Sequence, residues 1–239
     1  MNKKIKIAAF IVGLTLLFFI LQYDFEDKDS MNSWSLPLSG EIILLDPGHG
    51  GPDGGAGDQD ALEKDIALNV SLILRDYLQQ QGALVMMTRE EDKDLASEGT
   101  RGLSRRKTED LQKRLKLINE SEADFFVSIH LNAIPSPRWS GAQTFYAPQL
   151  KENARAAKFI QDELIINLEN TTRKAKPINH VYILKYAKKP GALVEVGFLS
   201  NPAEKQNLKK EEYQEKVAAS IYKGILRYYS NEKELVIEE

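Results

Sequence analysis

The stretch ALVEVGF, residues 192–198, decides how the fold is read. Six of its seven residues are apolar or glycine. That is the make-up of a strand covered on both faces, as in a parallel sheet, rather than one with a wet side. The exception is Glu195. A carboxylate in such a strand is costly unless something compensates it. An ion pair with Lys185 or Arg89 would be a structural compensation. A metal site facing the acid would be a functional one.

Working outward, strand-like and helix-like patterns alternate. EIILL (41–45) reads as a buried strand ending in the turn residues Asp46-Pro47-Gly48. Leu62, Ile66, Val70, Ile73 and Tyr77 form one stripe of a helix over about 61–81, stopped by Gly82. ALVMMTR (83–89) reads as a strand, and residues 90–107 as a charged loop. Leu111, Leu115 and Ile118 mark a second helix, and DFFVSIH (124–130) a third strand. AQTFYA (142–147) predicts a strand, 151–168 a helix carrying Ala157, Ile160, Leu164 and Leu168, and VYILK (181–185) a further strand. Asn201-Pro202-Ala203-Glu204 has the form of a helix start: an Asn cap, Pro at the first position and an acid three residues on. An amphipathic helix over about 212–229 closes the series. This order predicts a single α/β domain over 41–230, with a twisted, mostly parallel sheet and helices on both faces. Residues 231–239 read as a polar tail.

Composition narrows the chemistry. The 239 residues are 42% hydrophobic and 28% charged, an ordinary globular balance. A net charge of −3 gives no reason to expect nucleic acid. There is no cysteine, so any metal site must draw on His, Asp and Glu, and the histidines are only His49, His130 and His180. At the N-terminus Lys3, Lys4 and Lys6 precede an apolar run from Ile7 to Leu21. That order predicts export through a signal peptide or an uncleaved signal anchor over 1–23, which would tie the chain to the membrane. No small-x-small cleavage site follows it; residues 24–40 read as a linker.

In open α/β sheets ligands collect beyond the carboxyl ends of the strands. His49 follows the first strand, inside the glycine-rich DPGHGGPDGGAG (46–57); His130 ends DFFVSIH; Glu195 sits in the second half of ALVEVGF. Each has a plain reading too. A loop His can simply be a surface residue, and a strand His can be a satisfied core residue. Glu63, opening a helix, can serve the helix dipole. Together, however, His49, His130 and Glu63 make the His2Glu set of catalytic zinc sites, which leaves a fourth position for water. Glu195 beside such a site could take a proton from water and deliver it to a leaving nitrogen.

Other residues are less telling. Asn132 could orient a ligand, contact substrate or form a turn, and Trp139 could stack on a sugar or cover the core edge. His180 reads as a surface or rim residue. Arg101, Arg105, Arg106, Lys107, Lys113 and Arg114 read as a solvated basic face, with attraction to an anionic wall polymer as the sharper alternative.

DPGHGG, Glu63 in LEKD, FFVSIHLNA and LVEVGFLSNPAE resemble, in order, the motifs of the zinc-dependent N-acetylmuramoyl-L-alanine amidases of the amidase-3 family. The resemblance implies one Zn2+ held by His49, Glu63 and His130, with Glu195 as the catalytic acid. It implies hydrolysis of the amide joining the lactyl group of N-acetylmuramic acid to L-alanine in peptidoglycan. A short hydrophobic segment followed directly by the catalytic body is most similar to the germination-specific, CwlD-type amidases of spore formers, which act on spore cortex in the route to muramic lactam. That places the chain in the cell wall or spore envelope. The segments between motifs, notably LNAIPSPRWSGAQ (131–143), are short, so no self-blocking helix over the zinc is expected. Regulation would then come from expression or from a partner protein. The same residues would also suit a zinc peptidase or deacetylase on this polymer, or a wall-binding module without turnover.

Overall fold

In the computed structural model, residues 2–22 and 36–230 are described. The chain divides into a segment ending at Leu36 and a body from Pro37 onward. The first segment holds α1 (Lys3–Gln22), whose Phe10, Ile11, Val12 and Leu16 are exposed. Among the described residues no helix is long and apolar enough to cross a membrane. Tyr23, most of the expected 24–40 linker and the 231–239 tail lie outside the described residues.

The body runs β1 (Ile42–Pro47), β2 (Gly57–Asp58), β3 (Ala61–Leu62), α2 (Glu63–Gln80), β4 (Leu84–Met87) and α3 (Leu103–Glu120). It continues with β5 (Phe125–Asn132), β6 (Gln143–Tyr146), α4 (Lys151–Leu168), β7 (Lys176–Pro177) and α5 (Tyr182–Tyr186). β8 (Gly191–Phe198), α6 (Pro202–Leu208) and α7 (Glu211–Tyr229) complete it. Six strands form one sheet in the order β4-β1-β5-β8-β6-β7, and β2 and β3 form a small hairpin. β4, β1, β5 and β8 are mutually parallel, whereas β6 runs antiparallel to β8.

Side-chain alternation along the strands feeds two apolar layers. Ile43, Leu45, Phe125, Val127, Ile129, Ala192, Val194 and Val196 pack against Leu74 of α2, Leu164 of α4 and Ile221 of α7. Leu44, Phe126 and Leu193 on the opposite face meet Ile118 of α3 and Ile183 and Leu184 of α5. Each Val, Leu or Phe fully buried this way contributes about 1.5–3 kcal/mol. ALVEVGF thus lies in a mostly parallel sheet covered on both faces, between parallel β5 and antiparallel β6, and β4, β1, β5 and β8 bring their carboxyl ends to one edge.

Three local expectations change. In place of the strand expected over 181–185, Tyr182–Tyr186 form helix α5. Four apolar residues followed by a lysine carry no decisive period. Here Ile183 and Leu184 go inward while Tyr182 and Tyr186, four apart, meet edge to face on the outside. Helix α3 begins at Leu103, inside the stretch read as a charged loop, because its first turns face water and need no apolar residues. Asn201 caps α6 as expected, accepting from the N–H groups of Ala203 and Glu204. Glu204 does not close the capping box; it turns inward and accepts from the N–H groups of Gly141 and Phe198, both at 2.8 Å.

Candidate metal centre

Three strands and one helix deliver the site. His49 lies just beyond β1 with φ of 60°, a left-handed conformation uncommon outside glycine. A buried cation braces its backbone. Arg114 of α3 donates to the carbonyls of Pro47 and His49 and pairs with Asp46 and Asp110, both at 2.8 Å. The His49 Nδ1 is 2.9 Å from Asp53 Oδ2, and Asp53 is 3.1 Å from Lys107.

Glu63 opens α2 and is 3% exposed. Its Oε2 accepts from Ala56 N–H at 2.7 Å and its Oε1 from Leu131 N–H at 2.9 Å. The same Oε1 lies 3.2 Å from His49 Nε2 and 2.9 Å from His130 Nδ1. The helix-dipole role alone does not explain a carboxylate so enclosed. The two imidazoles meet edge to face with centroids 5.1 Å apart. Beneath His130, Gly48 leaves no room for a side chain, since a Cβ there would lie 2.4 Å from the ring. His49, Glu63 and His130 each offer a ligand atom within 4.8 Å of the others, and no other such group of three occurs among the described residues.

Glu195 is the cross-strand partner of His130. Its Oε2 is buried and has no hydrogen-bond partner. Neither cation offered as a structural mate reaches it. Arg89 donates to the carbonyls of Pro47, Gly48, Lys64 and Glu91, and Lys185 sits over the Tyr186 ring. Burial, reinforced by Glu63, pushes Glu195 up to about 7 against the opposing pull of His130 and His49. Burial works to lower His49, but Asp53 and Glu63 outweigh it and raise the ring to about 9. Glu63 is held well below the ordinary carboxylate range: burial opposes this, and the two imidazoles prevail. Asp53 is lowered chiefly by its bond to His49. Three carboxylates thus crowd two imidazoles, a balance that a divalent cation would settle. The donor set suits zinc.

A small cleft beside the two imidazoles is lined by His49, Asp53, Lys107, Leu111, His130 and Ile183, among others, and not by Glu63 or Glu195. Neither Asn132 nor Trp139 belongs to its lining. Asn132 ends β5, its carbonyl accepting from Leu199 N–H at 2.9 Å. Trp139 is half exposed, with the Arg173 guanidinium 5.7 Å from its ring. His180 is exposed on another groove with Phe145 and Pro177. A larger apolar groove, about 520 Å³, lies between β4 and α3 along Met86, Leu95 and Leu117 and holds no ligand set.

Arg114 is a correction to the basic-face reading: it is 2% exposed. Its helical spacing from Asp110 and Ile118 puts it on the buried stripe of α3, a sign that grouping residues by charge conceals. Asp46, fully buried and bonded to Thr88, Ser128 and Arg114, was open to the argument that singled out Glu195: an acid within an apolar strand.

The family described as N-acetylmuramoyl-L-alanine amidase matches residues 43–227. The chain belongs to this family. The amidase is 62% identical over 230 residues to the germination-specific N-acetylmuramoyl-L-alanine amidase of Bacillus subtilis, covering 96% of this chain and 97% of that one. It is 34% identical over 200 residues to the amidase LytC of B. subtilis, covering 83% of this chain but 37% of LytC. Among solved structures it is similar to the CwlD amidase of Clostridioides difficile in complex with the GerS lipoprotein. That likeness has a TM-score of 0.78 and 41% identity, and it covers 80% of this chain and all of that one. The fold expected from the strand and helix pattern and the germination-specific resemblance expected from the layout both hold, and the enzyme is a peptidoglycan amidase.

Proposed function

We propose that this amidase is zinc-dependent, holds one Zn2+ on His49, Glu63 and His130, and strips stem peptide from N-acetylmuramic acid in spore cortex peptidoglycan. The observation that carries the reading is the meeting of these three side chains from distant stretches beside an acid with an unpartnered buried oxygen. A bound zinc supplies a Lewis acid and makes water more acidic. Asp53 orients His49 through its far ring nitrogen, as outer partners of metal-binding histidines do. Glu195, as carboxylate, takes a proton from the attacking water as the new C–O bond forms at the lactyl carbonyl. It then gives that proton to the departing L-alanine nitrogen as the C–N bond breaks, leaving a lactyl carboxylate and a free amine.

Digestion of purified cortex peptidoglycan, followed by mass spectrometry of the fragments, tests this. The expected products carry new L-alanine amino termini and intact acetyl groups; a chelator stops their formation and added zinc restores it. Acetate release would point to a deacetylase, cleavage within the stem to a peptidase, and chelator-resistant cleavage would remove the metal role.

The basic-then-apolar N-terminus supports export to the spore envelope, with membrane attachment where the segment stays uncleaved. The lipoprotein seen with the C. difficile amidase supports a protein partner for this one as well. Intact mass of the chain purified from sporulating-cell membranes reads both points. A full-length mass in the membrane fraction with a bound lipoprotein is expected; a soluble, unpaired chain would contradict them.

A further inference from the structure

We infer that Arg89 is a positioning residue of the metal centre, its guanidinium fixing the loop that carries His49 against the helix turn that carries Glu63. The inference rests on the zinc reading above. Arg89 lies two residues beyond the end of β4 and is 2% exposed. Its Nη2 donates to Gly48 O at 2.9 Å and to Lys64 O at 2.7 Å. Its Nε donates to Pro47 O at 3.1 Å and its Nη1 to Glu91 O at 3.2 Å. Gly48 directly precedes His49, and Lys64 directly follows Glu63. One nitrogen therefore bridges the neighbours of two ligands, one on the glycine-rich loop and one on the first turn of α2.

The third ligand depends on the same contact. Gly48 underlies the His130 ring with no room to spare, and its N–H donates to Ile129 O at 2.9 Å. A shift of Gly48 would move the His130 ring as well as His49. The cation also makes no bond to a carboxylate here; every hydrogen bond it makes goes to a backbone carbonyl. Burying a guanidinium for stability alone has little to recommend it, since an apolar side chain of similar size often serves as well. Its planar fork, however, fixes several carbonyls at set angles, which a lysine ammonium on a flexible stem cannot do. Arg114 grips the same loop from the other side, but its removal would strand Asp46 and Asp110 and confound position with stability. Arg89 is the cleaner probe.

The test is a zinc titration of the full chain against a chromophoric chelator, for wild type, Arg89→Met, Arg89→Lys and Leu164→Ala. The last variant opens a cavity under α4, away from the ligand loops, and lowers stability without touching them. Zinc should bind Arg89→Met about 10–100-fold more weakly than wild type, the usual cost of losing an outer partner. Arg89→Lys should fall between the two, and Leu164→Ala should bind like wild type despite a lower Tm of the metal-free protein. Both Arg89 variants folded by circular dichroism yet binding zinc as tightly as wild type would overturn the inference. Should Arg89→Met fail to fold, Arg89→Lys decides by the same comparison. A wild-type chain that takes up no zinc would instead remove the metal reading itself.

Discussion

Replacing Glu195 with glutamine lowers turnover by about 10²–10⁴-fold, the range of a lost general base, and leaves zinc bound. Glutamine keeps the shape of the side chain but can neither take the proton of water nor hand one to the leaving nitrogen. The ligands His49, Glu63 and His130 are untouched, so elemental analysis should find the same zinc content as in wild type. The substitution should also stabilise the metal-free protein at neutral and higher pH. Burial raises Glu195 to about 7, so between its unfolded value and 7 the native state keeps a proton that the unfolded chain releases. Stability therefore falls as pH rises through that window. Glutamine escapes this penalty, which a shift of this size puts on the order of 3 kcal/mol. Thermal melts of both metal-free proteins should coincide near pH 4, diverge as pH rises to about 7 and stay apart above it, with the glutamine variant higher. Undiminished hydrolysis by Glu195→Gln would refute the proton-transfer role. Melts that stay together at pH 8 would refute the buried, unpartnered state of the carboxylate.

His49→Ala and His130→Ala are expected to lose the metal and, with it, all measurable hydrolysis. Losing an outer partner of a zinc ligand already costs about 10–100-fold in affinity, so losing a ligand itself should cost more. The fold should survive. In each variant Glu63 keeps its bonds from the Ala56 and Leu131 N–H groups and one imidazole neighbour. Far-ultraviolet circular dichroism should thus remain native while zinc content falls toward zero. Either variant with a full complement of zinc would remove that histidine from the ligand set.

The strands that carry these residues are legible because their side chains alternate. Phe125, Val127 and Ile129 enter one apolar layer and Phe126 the other, as the spacing in DFFVSIH requires. α4, over Lys151–Leu168, is long enough for its period to fix both ends. α5 is too short for that, and its two inward residues are adjacent, as in a strand seen edge-on. The ligand set is visible because the chain has so few histidines and no cysteine. The supporting shell is hidden for a different reason. Arg89 and Arg114 act through backbone carbonyls, which carry no residue identity, so no side-chain pattern announces their partners. Asp46 could have been found, since an acid inside IILLD raises the same question as Glu195.

The claim beneath all of this is that the ends of β1 and β5 and the first turn of α2 share one ion next to the acid of β8. A crystal of zinc-loaded enzyme, mapped by anomalous scattering at the zinc edge, tests it most directly. The account predicts a single peak bounded by His49, Glu63 and His130, with the Glu195 carboxylate facing the open side. A peak elsewhere, or one at these residues with Glu195 turned away into the core, would contradict it.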